Sequence, residues 1–258
     1  MRNTSSFLFI AAILLTSCKP EPKPEQPAEQ PVKYISKIAN AENEYRAYSY
    51  NNEKQLTKYL LQFINGAGVT RLTTEYSYVD GVISTAVSQS GSVLYEKAGK
   101  HIVKARSFRA SGSELSVITF SYNAKGQLSE AVEKINQSDP GLPIETKQAY
   151  EYYADGNLKK IFYSVRYNLT DPFILSGSAV FELYDTGKNP DKFFSSMVYL
   201  PSVVFQKNNP RRIVHYSANG SVNQEITFEY TYDADGYPVT KRMFDSRSSI
   251  SILFTYSY

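Results

Sequence analysis

The stretch FSYNAKGQL, residues 120–128, decides the fold because the chain repeats it. An aromatic residue, any residue, Tyr, five turn residues and then Leu or Pro recur as YSYNNEKQL at 48–56, YEYYADGNL at 150–158 and YTYDADGYP at 230–238. The Asn, Asp and Gly residues at the centre of each copy are typical of hairpin turns, since they tolerate positive φ. Each copy therefore predicts a strand, a tight turn and a returning strand.

The residues that flank these turns alternate in character. Ile226, Phe228 and Tyr230 share one face of an extended segment, whereas Thr227 and Glu229 share the other. A period of two with aromatic side chains on one face favours half-buried antiparallel strands. The region from 33 to 258 is predicted to form one all-β domain of roughly 14–18 strands. We expect an antiparallel up-and-down meander of hairpins, curled into a soluble barrel-like sheet. A two-sheet β-sandwich is the alternative.

The N-terminus has the features of an export signal. Residues 1–17 contain one arginine and the apolar run FLFIAAILL, which is too short to span a bilayer as a helix but suits a signal peptide. The following LTSC resembles the lipobox of bacterial lipoproteins, in which the cysteine is acylated and becomes the first mature residue. Cys18, the only cysteine of the chain, is therefore predicted to carry the lipid and to be the contact with the membrane.

Residues 18–32 are predicted to be a spacer between this lipid and the β domain. The tract KPEPKPEQPAEQPV is rich in proline and charge, so it cannot build a core and favours extended backbone. We expect a protein anchored by lipid to the outer membrane. Lys19 and Pro20 precede the first acidic residue, so the choice between the periplasmic and the cell-surface leaflet stays open.

Composition excludes some partners and characterises the strands. The formal net charge is only +3, which gives no reason to expect nucleic acid. The chain contains 22 Tyr and 14 Phe but no Trp. Tyrosine has an apolar ring and a polar hydroxyl, which suits strands with half-wet faces.

The chain resembles a family of uncharacterised outer-membrane lipoproteins of gut anaerobic bacteria, a domain of unknown function with a porin-like fold. The resemblance rests on the lipobox, the proline-rich spacer, the tyrosine-rich hairpins and the paired motifs KNP at 188–190 and KNNP at 207–210. Residues 191–206 resemble the irregular insertion of that family. The hairpin motif is also similar to the YD repeats of RHS-type toxins. The resemblance implies a fold and no activity.

Candidate chemical sites are few. Asp233 and Asp235 have the spacing that begins a calcium loop, but no distal ligands follow, and the sister turn has Lys125 at the second position. The two histidines, His101 and His215, have no recognisable nucleophile near them in sequence. We predict no enzyme, no metal and no cofactor. Carboxylates that could in principle form a glycosidase pair are Glu145, Glu151, Asp155, Glu182, Asp185, Glu225 and Glu229.

A basic residue recurs two positions after the Leu or Pro of the motif. The adjacent residue is mostly apolar, so the basic side chain is expected to point away from the packed face. The hypothesis is a polyanion-binding strip for acidic glycan or lipopolysaccharide; the alternative is that these charges only solubilise the strands and protect their edges. The residues of the strip are Lys58, Lys160, Lys192 and Arg212.

These patterns favour a non-enzymatic binding or structural module that is tethered to the membrane. Its partner is expected to be a glycan, a peptide or a cell-surface protein, bound on a concave or tyrosine-rich face. An outer-membrane pore or channel component is the first alternative, because the C-terminal SILFTYSY is similar to the last strand of membrane barrels. A carboxylate-dependent glycoside hydrolase is the second.

Overall fold

The computed structural model describes residues 32–136, 141–190, 200 and 203–258, and the regular elements within these ranges are strands. None of the described residues forms a helix of the length and hydropathy needed to cross a bilayer. The signal sequence, Cys18 and the spacer up to residue 31 lie outside the described ranges. The strands are β1 (Lys37–Ala41), β2 (Glu44–Tyr50), β3 (Leu56–Asn65), β4 (Gly68–Val79), β5 (Val82–Ser88), β6 (Gly91–Ala98), β7 (His101–Arg109), β8 (Glu114–Tyr122), β9 (Leu128–Ile135), β10 (Glu145–Tyr152), β11 (Leu158–Arg166), β12 (Ile174–Glu182), β13 (Arg212–Ser217), β14 (Val222–Tyr232), β15 (Pro238–Asp245) and β16 (Ile250–Ser257).

The sixteen strands form one closed barrel. Each strand pairs antiparallel with its neighbour in sequence, and β16 closes the ring against β1, with Ile38 opposite Tyr256. The predicted meander of about 14–18 strands is confirmed. The alternative of a two-sheet sandwich is wrong, because the ring of hydrogen bonds has no break among the described strands and so leaves no sheet edge.

The repeated motifs lie at the bends, as predicted. In the β8–β9 turn the side-chain oxygen of Asn123 accepts hydrogen bonds from the amides of Lys125 and Gln127. Gly126 has a φ of 74°, a conformation that costs an L-residue but not glycine. These turns all lie at the same end of the barrel, which we call the motif end.

A β-bulge follows each motif turn and explains the spacing of the apolar residues. In the β2–β3 hairpin, Ser49 pairs with Lys58 while Tyr50 pairs with Leu56, so one extra residue lies in β3. Leu56 and Tyr59 are therefore both buried inside the barrel although they are three positions apart. The same register shift occurs after the turns that end at Leu128, Leu158 and Pro238.

The hydrophobic core is concentrated at the motif end. Buried side chains such as Tyr48, Phe120 and Ile161 lie within a few residues of the turns. Apolar residues near the opposite end, such as Ile64 and Ile174, are exposed. The rigid, well-packed part of the barrel is therefore the end that carries the repeats.

Tyrosine hydroxyls at the motif end bind backbone carbonyls where returning strands begin, and two of these tyrosines, Tyr122 and Tyr152, belong to the repeated motif. The β3–β4 ladder ends at Lys58 opposite Glu75, so the carbonyl of Leu56 has no ladder partner on that side. The hydroxyl of Tyr78 donates to this carbonyl at 2.8 Å. Four further tyrosines make the equivalent bond with the carbonyl that opens a returning strand. They are Tyr122 to Ile102, Tyr152 to Leu128, Tyr184 to Leu158 and Tyr258 to Pro238. Burial raises the pKa of both Tyr78 and Tyr122 to about 12, so the donor proton is retained.

Tyr122→Phe is expected to lower the free energy of unfolding by about 1–3 kcal/mol, because it leaves the Ile102 carbonyl without its donor while keeping the ring. Denaturant titration of the variant and the parent measures the difference. Tyr167→Phe is the matched control, since Tyr167 is 47% exposed in the β11–β12 connection, and it should change stability by less than about 0.5 kcal/mol. Equal effects in the two variants would show that the hydroxyl bond contributes nothing.

Candidate functional site

The predicted polyanion-binding strip is not continuous. Lys58 lies on β3, Lys160 on β11 and Arg212 on β13. Each points outward, and the residue that follows it in sequence points into the barrel. The strands β3 and β11 are eight apart in the ring of sixteen, so Lys58 and Lys160 are on opposite sides of the barrel. Lys192 lies outside the described residues. The spacing of these residues from the motif correctly predicted that their side chains point outward, but it did not predict where around the barrel they lie.

Two residues of this predicted strip are engaged with carboxylates. Lys58 is 3.7 Å from Glu75, and Arg212 pairs with Glu182 at 2.8 Å and with Glu225 at 2.9 Å. The hydrogen bond from Arg212 lowers the pKa of Glu225, and the same contact raises the pKa of Arg212. Arg212 is therefore part of a mixed-charge surface.

The two histidines lie in different parts of the molecule. His215 on β13 faces the barrel interior, where burial lowers the pKa of its imidazole. The His101 ring packs on Tyr122 at the motif end, with 4.4 Å between ring centroids. They do not form one site.

The candidate carboxylates do not converge either. Glu145 pairs with Arg166, and Asp155 accepts a hydrogen bond from the backbone amide of Asn157 in its own turn. Asp185 accepts a hydrogen bond from the hydroxyl of Tyr232. None of the seven lines the three cavities that are described below. Glycoside hydrolysis needs two carboxylates that face each other across a cavity, and these three cavities do not contain such a pair among the described residues. Glu225 lines a fourth cavity together with Asp245, beside the β15–β16 turn, where Arg212 and Gln224 bind the two carboxylates.

Asp233 and Asp235 bind a lysine. Both carboxylates lie 2.7 Å from Nζ of Lys33, at the start of the domain. The contact with Lys33 and the backbone donors of Tyr237 and Asp235 lower the pKa of Asp233. The pair thus fixes the entry of the chain onto the β14–β15 turn.

The described part of the connection between β12 and β13 lies across the motif end, and we call its residues 183–190, 200 and 203–211 the crossing segment. Its two Lys-Asn motifs, at 188–190 and 207–210, lie side by side: Lys188 forms a bridge with Asn208, and the Asn189 amide donates to the Lys207 carbonyl at 3.0 Å. Phe205 is buried against Tyr150, with 5.3 Å between ring centroids. The described part of the segment is therefore an ordered component of the barrel end.

Asn157, in the β10–β11 turn, fastens this segment. Its side chain is 1% exposed, and its Oδ1 accepts hydrogen bonds from the amides of Lys207 at 2.8 Å and Asn208 at 3.0 Å. On the other side of the segment, the Lys188 amide donates to the Gly236 carbonyl at 2.9 Å. Turns on two separate hairpins thus hold the segment in place.

A cavity of about 360 Å³ lies at the motif end, between the crossing segment, residues 32–34, the β2–β3 and β4–β5 hairpins and Tyr237 of the β14–β15 turn. We call it the tyrosine–lysine pocket, because four tyrosines and four lysines line it, and the part of the lining that the structure describes contains neither Asp nor Glu. Gln55 and Asn189 add side-chain amides. The residues of those two types are Tyr34, Tyr50, Tyr78, Tyr237, Lys33, Lys54, Lys188 and Lys207.

The four lysines differ in their partners. Lys33 is neutralised by its two aspartates, and Nζ of Lys207 donates to the Asp155 carbonyl at 2.8 Å. Nζ of Lys188 lies 4.5 Å from the centroid of the Tyr237 ring, and that of Lys54 lies 5.8 Å from the centroid of the Tyr34 ring. These last two ammonium groups are positioned by aromatic faces rather than by carboxylates.

Two further cavities adjoin the same segment. One of about 360 Å³ is lined by Lys100, His101 and Tyr122, and it shares Lys207 with the tyrosine–lysine pocket. The other, of about 300 Å³, lies in the barrel interior beside His215 and Tyr230. Sequence reasoning missed Lys54 and Lys188 as site residues, although the paired Lys-Asn motifs were a usable signal.

Comparison with known proteins supports the fold alone. Neither a known family model nor a curated protein matches the sequence. Among solved structures, a porin-like protein from Bacteroides uniformis is 16% identical and matches with a TM-score of 0.58, over 86% of this chain and 96% of the other. A porin-like protein from Bacteroides vulgatus is 15% identical, with a TM-score of 0.44, over 88% of this chain and 99% of the other. The chain is thus similar in fold to porin-like proteins of Bacteroides.

Proposed function

We propose that this chain is an exported lipoprotein whose barrel is a non-enzymatic binding module of the outer membrane. In this proposal Cys18 carries the lipid, and the tyrosine–lysine pocket takes the ligand. The observation that carries the proposal is that pocket, which combines apolar ring faces with a few convergent polar groups on a rigid, closed scaffold. Its volume of about 360 Å³ is within the range of small-ligand sites.

The pore alternative is favoured by the porin-like description of the structural neighbours, but the geometry of this chain supports it poorly. A channel needs a continuous lumen. Here the crossing segment lies over the motif end, with Phe205 buried, and side chains such as Tyr48 and Ile161 fill the interior below it. The segment is anchored at two turns, so it does not act as a loose loop in an open channel.

The outer face of the barrel also argues for a position outside the lipid. Charged pairs lie on this face around the ring, including Glu96 with Lys104 at 2.9 Å and Arg106 with Glu114 at 2.6 Å. A membrane barrel carries an apolar outer band, and a Lys or Arg at the bilayer midplane costs about 2–4 kcal/mol. A lipid on Cys18 supplies the attachment that such a surface does not.

Ligand-induced stabilisation of the full chain in a non-sugar detergent tests the proposal. Glycan, peptide and small-anion libraries are screened by thermal unfolding; a ligand at 100 times its Kd should stabilise the fold by about 2.7 kcal/mol. Tyr34→Ala removes a ring at the rim of the pocket and should abolish this gain, whereas Tyr167→Ala, far from the pocket, should not. Stabilisation that is unchanged in Tyr34→Ala, or single-channel conductance in planar bilayers, would contradict the proposal.

A further inference from the structure

We propose that the ligand of the tyrosine–lysine pocket is an anionic saccharide, a sugar that carries a carboxylate or a sulfate group. This inference rests on the proposed function and adds the chemistry of the ligand. It assigns Lys54 and Lys188 to the anionic group and the tyrosine rings around them to the sugar ring.

The first argument is charge. Among the described residues, the lining of the pocket contains four lysines and neither Asp nor Glu. Lys33 pairs with two aspartates and Lys207 lies near Asp155, whereas Lys54 and Lys188 form no ion pair with a described carboxylate. The neighbouring cavity adds Lys100 and His101, and its described lining residues include no Asp or Glu. Ammonium groups concentrated in a concave surface with low-dielectric walls focus a positive potential and attract anions.

The second argument is how Lys54 and Lys188 are held. Each ammonium lies over a tyrosine ring, Lys188 at 4.5 Å and Lys54 at 5.8 Å from the ring centroid. A cation–π contact orients the ammonium without consuming its hydrogen-bond donors, so the donors stay available to a ligand. A carboxylate or sulfate in the pocket would accept charge-assisted hydrogen bonds from them.

The third argument is the remainder of the lining. Tyr34 and Tyr50 pack edge to face with 5.3 Å between their centroids and present apolar ring surface. Gln55 adds a side-chain amide whose nitrogen donates to the Gly81 carbonyl at 3.2 Å and whose oxygen accepts from Asn51 at 2.8 Å, which leaves one donor hydrogen and one lone pair for a ligand. Sugar rings have an apolar C–H face and a rim of hydroxyl groups, so rings beside amides suit them better than they suit a bare inorganic anion.

The fourth argument separates a saccharide from a peptide. Peptides are commonly bound in extended form by adding a strand to an exposed sheet edge. The closed ring of β1 to β16 offers no such edge. The pocket is instead a compact cavity at the barrel end, of a size that suits one or two sugar rings.

Calorimetric titration of the full chain in a non-sugar detergent tests the inference. The probes are digalacturonic acid, a sulfated disaccharide, and neutral galactobiose as the uncharged counterpart. We expect either anionic sugar to bind, neutral galactobiose to bind at least about tenfold more weakly, and added salt to weaken the anionic sugar. The double variant Lys54→Gln/Lys188→Gln should bind the anionic sugar at least about tenfold more weakly than the parent protein binds it.

Lys160→Gln is the matched control. Nζ of Lys160 also lies over an aromatic ring, that of Phe162 at 4.2 Å, but on the outer face of β11 and away from the pocket. Lys160→Gln should change the dissociation constant by less than about twofold, well below the tenfold loss expected of the double variant. Equal losses in the control and the double variant would overturn the assignment of Lys54 and Lys188.

The remaining outcomes separate the two proposals. Binding of galactobiose as tight as that of digalacturonic acid overturns the anionic inference and leaves the binding module intact. Preferred binding of an acidic tetrapeptide, or of vesicles that contain anionic phospholipid, overturns the saccharide class. Failure of both anionic sugars to bind also overturns the inference. The proposed function itself fails if the wider ligand screen finds nothing that depends on Tyr34, or if the protein conducts ions in planar bilayers.

Discussion

Cys18→Ala is expected to move the protein almost completely from the membrane fraction to the aqueous fraction. The predicted lipid is the attachment, and each buried CH₂ of an acyl chain contributes about 0.8 kcal/mol, so two or more chains make release negligible. Without them, we expect the ion pairs on the outer face, such as Glu96 with Lys104, to keep the barrel out of the bilayer. Fractionation of cells with metabolic labelling by an alkyne-bearing palmitate measures both the location and the modification.

Thr16→Ala is the matched control for that substitution, because it keeps a small residue two positions before the cysteine. It should preserve both the label and the membrane location. A Cys18→Ala protein that stays in the membrane fraction after washing with high salt and urea would show that the barrel itself is embedded. That outcome would favour the channel alternative over a tethered binding module.

Asn157→Ala is expected to lower the free energy of unfolding by about 2–5 kcal/mol. The substitution removes the acceptor of the Lys207 and Asn208 amides, and each amide left unsatisfied in a buried site costs about 1–3 kcal/mol. Denaturant titration measures the loss. Amide hydrogen exchange adds a local readout, because the Leu158 amide donates to Phe205 of the crossing segment and should exchange faster once the segment is released.

Gln127→Ala is the control for Asn157→Ala. Gln127 occupies the equivalent place in the β8–β9 turn, but its side chain only donates to the Gly156 carbonyl at 3.4 Å and accepts from Asn123. Its loss should cost less than about 1 kcal/mol, the worth of one weak bond. If both variants lose the same stability, the role assigned to Asn157 in holding the crossing segment is incorrect.

The meander and its inward face were predictable from sequence because they depend on neighbours. Turn residues such as Asn123 and Gly126 interact with residues no more than four or five positions away. The alternation of a strand has a period of two residues. The sequence contained only an indirect sign of the bulge, the apolar residue three positions after Leu56. The register shift itself can be recognised only when the partner strand is known. The hydroxyl bonds of Tyr122 and Tyr152 to backbone carbonyls explain the Tyr in their two copies of the motif, whereas the hydroxyl of Tyr232 donates to Asp185 instead.

The position of the proposed binding site was not predictable in the same way. Period-two patterns place Lys58 and Lys160 outside the barrel, but they contain no information on the angle around the barrel axis. The tyrosine–lysine pocket joins Lys54 from the first hairpins to Lys188 from the crossing segment. Residues so far apart in sequence meet only through the packing of a long connection.

By itself, the sequence determined the all-β class, the antiparallel order of the strands, the turn at each motif and the residues that face inward, because each depends on local backbone preference and on alternation. Only the tertiary structure decided that β16 closes on β1, that the crossing segment lies over the motif end and that lysines gather there among tyrosine rings. Those outcomes depend on contacts between distant parts of the chain. Their free energy arises from burial and hydrogen bonding across the whole barrel, which no short pattern encodes.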